Sequence, residues 1–202
     1  MYKMMELKLR PRTKSLIIHA VNDFTASTAS SDFMYKGFYE SGLNIKISHG
    51  ARRLKVSKQG IYYYNNLEAG NYTVTLKSPL FVTEKKSVSI VAGVLSEITV
   101  RMKPGYDYRF YGETAFMRGT VIDSLNSRPL DGIRVQALPR TEEAFSDENG
   151  RFMIYFKVPI LAAGEQISLT FLQSSMYKSA TVKVPMVPMK KTTLDAVKLV
   201  KR

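Results

Sequence analysis

The sequence has no cysteine, no tryptophan and only two histidines. Lack of cysteine excludes disulfides, thiolate metal sites and cysteine nucleophiles together. Two histidines, His19 and His49, cannot by themselves complete a structural zinc site. His19 lies in the apolar run "LIIHAV" and His49 at the end of "ISHG", so each reads as a core or surface histidine. No Gly-x-Ser-x-Gly elbow, Ser-x-x-Lys motif or glycine-rich phosphate loop accompanies them, and a hydrolase triad needs nucleophile, base and orienting acid together. The clustered carboxylates of "TEEAFSDE" read more simply as a polar loop than as a paired acid and base. The expectation is a protein that is not an enzyme and has no cofactor.

Long hydrophobic runs are missing too. The longest are strand-length, short of the roughly 18 residues a membrane helix needs, so no membrane insertion is expected. The opening "MYKMMELKLRPRTK" is basic but has no apolar core of signal-peptide type. Cytoplasmic synthesis without a signal peptide is the expectation, including as part of a particle released by lysis. Apolar residues still make up 45% of the 202, enough to bury a core rather than remain disordered.

Periodicity is of one kind. No segment sustains a 3.6-residue repeat, whereas period-2 alternation recurs between turn signals every 8 to 14 residues. Leu43, Ile45 and Ile47 alternate, as do Tyr72, Val74 and Leu76, Met117, Gly119 and Val121, Ile133, Val135 and Ala137, and Ile167, Leu169 and Phe171. The plan also repeats. "VSKQGIYYY" matches "FSDENGRFMIYF", and "LEAGNYTVTLKS" matches "LAAGEQISLTFLQS". The fold class expected is all-β, two tandem antiparallel β-sandwiches of immunoglobulin-like or transthyretin-like type. The division is a basic arm over 1–12, a diverged sandwich over 13–103, an aromatic linker over 104–116 and a second sandwich over 117–202. In the linker, Tyr106, Tyr108, Phe110 and Tyr111 read either as a packed connection or as a stripe contacting a partner.

"FSDENGRFMIYF" (145–156) poses a chemical question. Setting Gly150 at the sixth place of a calcium loop puts Asp147 and Asn149 on ligand positions, but Phe145 and Phe156 fall where oxygens are required, so the EF-hand reading fails. A looser calcium site on Asp147 and Asn149 stays open. The alternative is a hairpin turn, with Asn149 and Gly150 both at φ > 0, feeding a strand in which Phe152, Ile154 and Phe156 alternate with Arg151, Met153 and Tyr155.

The second half resembles the carboxypeptidase regulatory-like domain, a transthyretin-like sandwich. The likeness rests on "RGTVIDSLNSRPLDGIRVQAL" and "SDENGRF", with Gly119, Val121, Pro129, Leu130, Gly132, Ile133, Val135, Asp147, Asn149, Gly150 and Phe152 in place. After Phe152 the family continues with a Pro-Gly-Tyr turn, and "VPILAAGEQISL" departs from it. The first half looks like a diverged relative. The resemblance implies a non-catalytic domain whose matched positions are structural. A pair of such domains opening with "LKLRPRTKSLIIHAVNDFT" is also similar to small proteins associated with contractile phage tails and injection particles.

Surface therefore carries the functional expectation. Net charge is +13. Residues 1–104 hold 16 Lys and Arg against 7 Asp and Glu, a balance of +9, which favours acidic partners. Lys8, Arg10, Arg12 and Lys14 stand two apart, so an extended chain points all four one way. The other reading of this comb is an edge strand protected by its charges. A second basic cluster contains Arg52, Arg53, Lys55 and Lys58. Nucleic acid is disfavoured as partner, because stacking aromatics should interleave with such charges and alternate members of the Tyr62–Tyr64 run should enter the core. The loop over 25–42 carries Phe33, Met34, Tyr35, Phe38 and Tyr39, residue types that protein interfaces favour. The expected partners are protein subunits with acidic surfaces in a multimeric particle, bound through Lys8, Arg10, Arg12, Lys14, Phe33, Tyr35, Phe38, Tyr39, Arg52 and Arg53. The alternatives are a carbohydrate or surface-adhesion module and a basic nucleic-acid-associated protein.

Overall fold

A computed structural model describes residues 14–24, 42–49, 53–57, 61–110, 114–156, 166–172, 176–185 and 191–202. The chain divides into two compact units, Met1–Lys103 and Pro104–Arg202. Every regular element among the described residues is a strand, so no helix there is long and apolar enough to cross a membrane.

Unit 1 contains β1 (Lys14–Asn22), β2 (Asn44–Ile47), β3 (Lys55–Val56), β4 (Tyr62–Asn65), β5 (Gly70–Ser78), β6 (Phe81–Ile90) and β7 (Ser96–Met102). They form a sheet of order β3-β4-β1-β7 and a second of order β2-β5-β6. Alternation decides the inner faces. Leu16, Ile18 and Ala20 of β1 and Tyr62 and Tyr64 of β4 are buried, as are Val100 and Met102 of β7. The other sheet contributes Ile45, Val74 and Leu76. The Tyr64 hydroxyl donates to the Ile45 carbonyl at 3.3 Å, tying β4 of one sheet to β2 of the other. Strand β1 pairs antiparallel with β4 and parallel with β7, from Leu16 opposite Ser96 to Asn22 opposite Met102.

Unit 2 contains β8 (Phe116–Asp123), β9 (Arg134–Leu138), β10 (Glu143–Phe145), β11 (Arg151–Tyr155), β12 (Gln166–Leu172), β13 (Ala180–Pro185), β14 (Lys191–Thr193) and β15 (Val197–Leu199). One sheet has the order β10-β9-β12-β13. In the other, β8 lies between β11 and the successive short strands β14 and β15, both parallel to β8. Met117, Val121, Ile133, Val135, Ala137, Ile167, Leu169 and Phe171 are fully buried between the sheets. The β-sandwich class read from alternation is thus the architecture of both units.

Two local expectations are corrected. Strand β11 does not alternate cleanly, because Met153 is buried along with Phe152 and Ile154. It stands opposite Arg118 on the outer face of β8, where residues 106–110 pack. The Tyr106 ring lies 5.1 Å from the Arg118 guanidinium and 5.0 Å from that of Arg151. Phe110 stacks 4.8 Å from Phe116 and 5.8 Å from Tyr155.

The turn before β11 is also of another type. Only Gly150 takes positive φ, at +69°. Gly150 N–H donates to the Asp147 carbonyl at 2.7 Å, and Asp147 N–H donates to the Arg151 carbonyl at 2.9 Å. This is a type I turn closed by a left-handed glycine rather than a two-residue primed turn.

A buried acid helps close unit 2. Asp123, 2% exposed, accepts from the Leu125 N–H at 2.8 Å and the Tyr177 hydroxyl at 2.9 Å. Those hydrogen bonds hold its carboxyl below the usual range, while burial and then Asp123 raise the Tyr177 phenol. A depressed carboxyl contributes stability above its unfolded value of about 3.9, lost as pH falls through the folded value. A raised phenol contributes stability below about 10, lost as pH rises through the folded value. Unit 2 is therefore expected to lose stability in acid below about pH 4. Asp123→Asn should lower the melting temperature at neutral pH and flatten this acid limb. An unchanged acid limb in the variant would show that other carboxylates control it.

Candidate interaction surface

The acidic turn is a structural device. Asp147 Oδ1 accepts from the Asn149 and Arg151 N–H groups, each at 2.9 Å. Its Oδ2 accepts from Arg151 Nε at 3.1 Å. A guanidinium thus stands where a calcium ion would need a free carboxylate oxygen. Ser146, buried, accepts from the Ile133 N–H and donates to the Leu130 carbonyl. A Cβ built on Gly150 would lie 2.4 Å from the Val121 carbonyl oxygen and 3.1 Å from Leu130 N. The two motifs behind the family likeness, "PLDGI" and "SDENGRF", therefore lock to each other and to β8. Their role is packing.

The histidines stand on different sheets. His19, on the outer face of β1, lies 3.0 Å from Glu97 Oε1 through Nε2. His49 is exposed at φ 57° beyond β2. Among the described residues, no three His, Asp or Glu side chains gather as a metal site would require.

What unit 1 does assemble is a basic and aromatic edge. Lys14 opens β1, is exposed, and sets its ammonium 5.0 Å from the centroid of the Tyr63 ring. Tyr63 points outward because Tyr62 and Tyr64 take the core. Lys55 of β3 pairs directly opposite Tyr63, and Arg53 is exposed two residues earlier. Lys14 and the Arg53 segment, 39 residues apart in sequence, thus come to the two strands that flank β4, on either side of Tyr63. Strand β3 has only two residues and, among the described residues, is the last strand on that side.

Of the other sequence-predicted residues, Lys8, Arg10, Arg12, Phe33, Tyr35, Phe38, Tyr39 and Arg52 lie outside the described residues. In the 104–116 segment, Tyr106 and Phe110 pack on unit 2, and Tyr108 meets Phe110 edge-on at 4.8 Å. Three lysines that sequence reading passed over, Lys46, Lys77 and Lys85, share the outer face of the β2-β5-β6 sheet. Each stands at an outward position of its own strand. That parity was a readable signal, but their proximity was not.

No family model matches the sequence, and no curated protein matches it. Among solved structures, the Bacillus anthracis TIE protein overlaps 94% of this chain and 34% of its own, at 13% identity and a TM-score of 0.35. A streptococcal ancillary pilin overlaps 94% of this chain and 62% of its own, at 16% identity and a TM-score of 0.33. The shaft pilin SpaA of Lactobacillus rhamnosus GG, as a double mutant, overlaps 94% and 98%, at 8% identity and a TM-score of 0.34. The chain thus spans about a third of the first and under two thirds of the second. Likeness at this level carries no argument. The sandwich assignment rests on strand pairing and burial.

Proposed function

We propose that the chain is a non-catalytic structural or adaptor subunit that docks protein neighbours with acidic surfaces in a larger assembly. The observation that supports this is the edge formed by Lys14, Tyr63, Lys55 and Arg53. A cation over a half-buried, outward-facing aromatic, with further cations beside it, gives a partner both contact area and electrostatic steering. The short strand β3, terminal among the described residues, offers an edge along which a partner could pair. The finer reading is a subunit of a contractile phage tail or injection particle, supported by the tandem arrangement and the opening sequence.

The test is affinity capture of the tagged chain from the cells that make it, after nuclease treatment, at low and moderate salt. Mass spectrometry would compare the wild type with Lys14→Glu/Arg53→Glu. The expected result is protein partners whose recovery falls at least tenfold in the charge-reversed variant. Tail-tube, sheath or baseplate proteins among them would support the finer reading. Recovery unchanged by the reversal would overturn this edge as the docking surface. Recovery of nucleic acid alone would overturn the assembly reading itself.

A further inference from the structure

The outer face of the β2-β5-β6 sheet differs in kind from the basic edge of the other sheet. Strand register places Lys46, Thr75 and Lys85 in one row across three strands, and Lys77 two residues along β5, opposite Asn44. Lys46, Lys77 and Lys85 are all exposed. Inter-strand and along-strand spacings put the Cα atoms of Lys46 and Lys85 about 10 Å apart and Lys77 about 8 Å from each. Thr75 lies between them. Flexible four-carbon stems allow three ammonium groups at this spacing to converge above the Thr75 hydroxyl.

The rest of the face is hydroxyl and amide. Thr73 pairs with Ser87, and Asn71 accepts a hydrogen bond from Ser89. Glu84, the acidic residue of β6, stands opposite Leu76 and so turns to the other side of the sheet. Among the described residues of these three strands, no carboxylate or aromatic side chain shares the face with the lysines, and the one exposed aliphatic beside them is Val82, in the irregularity of β6 opposite Lys77.

That composition selects among anionic partners. Among the described residues, an acidic protein surface would find no aromatic or arginine of the kind that carries most interface energy, and a single valine, Val82, as apolar contact. A single-stranded nucleic acid would find no ring on which to stack a base. A sugar chain presents hydroxyls to match the Thr, Ser and Asn groups, and its sulfates or carboxylates match the lysines. We propose that this face binds an acidic glycan, through Lys46, Lys77 and Lys85 around Thr75. The site is independent of the neighbour-docking edge, which belongs to the other sheet.

The experiment measures fluorescence anisotropy of a labelled heparin-derived octasaccharide with the full chain at physiological salt. Its fully desulfated form and a single-stranded DNA of similar charge serve as comparisons. Lys46→Gln/Lys77→Gln/Lys85→Gln is expected to weaken binding at least tenfold. Lys183→Gln/Lys191→Gln/Lys198→Gln removes the same charge from exposed positions of unit 2 and is expected to cost less than twofold. Thr75→Val should cost about threefold and desulfation should abolish binding. If the triple face variant loses its circular-dichroism signature, Lys85→Gln alone, on the terminal strand β6, should still weaken binding twofold or more. Equal weakening by the two triple variants would show a net-charge effect and overturn the site. Absence of binding at physiological salt, or tighter binding of the DNA, would overturn it equally.

Discussion

Gly150→Ala is expected to destabilise unit 2 by more than about 3 kcal/mol, the sum of two effects that can be separated at this position. The first is conformational. At φ +69° an alanine in place of glycine costs about 1 kcal/mol. The second is steric. The added Cβ would stand 2.4 Å from the Val121 carbonyl oxygen, with Leu130 N and Pro129 Cβ each at 3.1 Å. The nearest atom is backbone of the central strand β8, so relief requires moving that strand or the turn. Val121 N–H also donates to the Gly150 carbonyl at 2.8 Å, and the shift would strain that bond as well. Gly132 provides the control. Its φ is +70° and a Cβ there would meet nothing within 4 Å, so Gly132→Ala should show the conformational cost alone, about 1 kcal/mol. For a unit of this size the two variants should differ by about 10 °C or more in the calorimetric transition of unit 2. Equal losses would mean that β8 yields to the methyl group without cost.

Phe152→Ala should cost about 3 to 5 kcal/mol, the usual range for removing a large aromatic from a packed core. Phe152 is 1% exposed and meets Phe171 of the facing sheet edge-on at 5.5 Å, a favoured aromatic geometry. Two of its ring carbons also lie 3.0 Å from where Gly119 would carry a Cβ. Gly119 stands opposite Phe152 in the β8–β11 ladder, so the absence of a side chain there is what admits the ring. Gly119→Ala alone should destabilise by pushing against that ring. In the Phe152→Ala background its cost should fall by about 1 kcal/mol or more, because the methyl group enters the vacated space. Additive costs in a double-mutant cycle would refute the pairing of this glycine with this ring.

Much of the architecture was legible because burial in a two-layer sandwich imposes period 2 on the sequence. Tyr62 and Tyr64 enter the core while Tyr63 leaves it, as adjacent residues of a strand must. The places where sequence reading went astray each involve a partner distant in the chain. Met153 has the outward parity of β11, yet Tyr106 and Phe110 pack across that face from 43 to 47 residues away. The turn at Asp147 is set by β8, which lies beneath Gly150 and leaves Asn149 no need of positive φ. The cluster of Lys46, Lys77 and Lys85 depends on register between three strands, which no single segment encodes. The basic edge was half legible. Both of its charge clusters stood out in the sequence, and only the pairing of β3 with β4 and of β4 with β1 joins them.

In unit 1 the opening strand β1 and the closing strand β7 lie side by side and run the same way. In unit 2 the opening strand β8 has the same relation to β14 and β15. A chain bonded in this manner enters each sandwich at one pole and leaves it at the opposite pole. Tension drawn along the backbone would therefore run lengthwise through those ladders. The hydrogen bonds from Leu16 to Asn22 would share the load in shear instead of opening one after another, as they would in a hairpin pulled from its free ends. In each unit the parallel pairing would load these ladders in shear if the two ends were pulled apart.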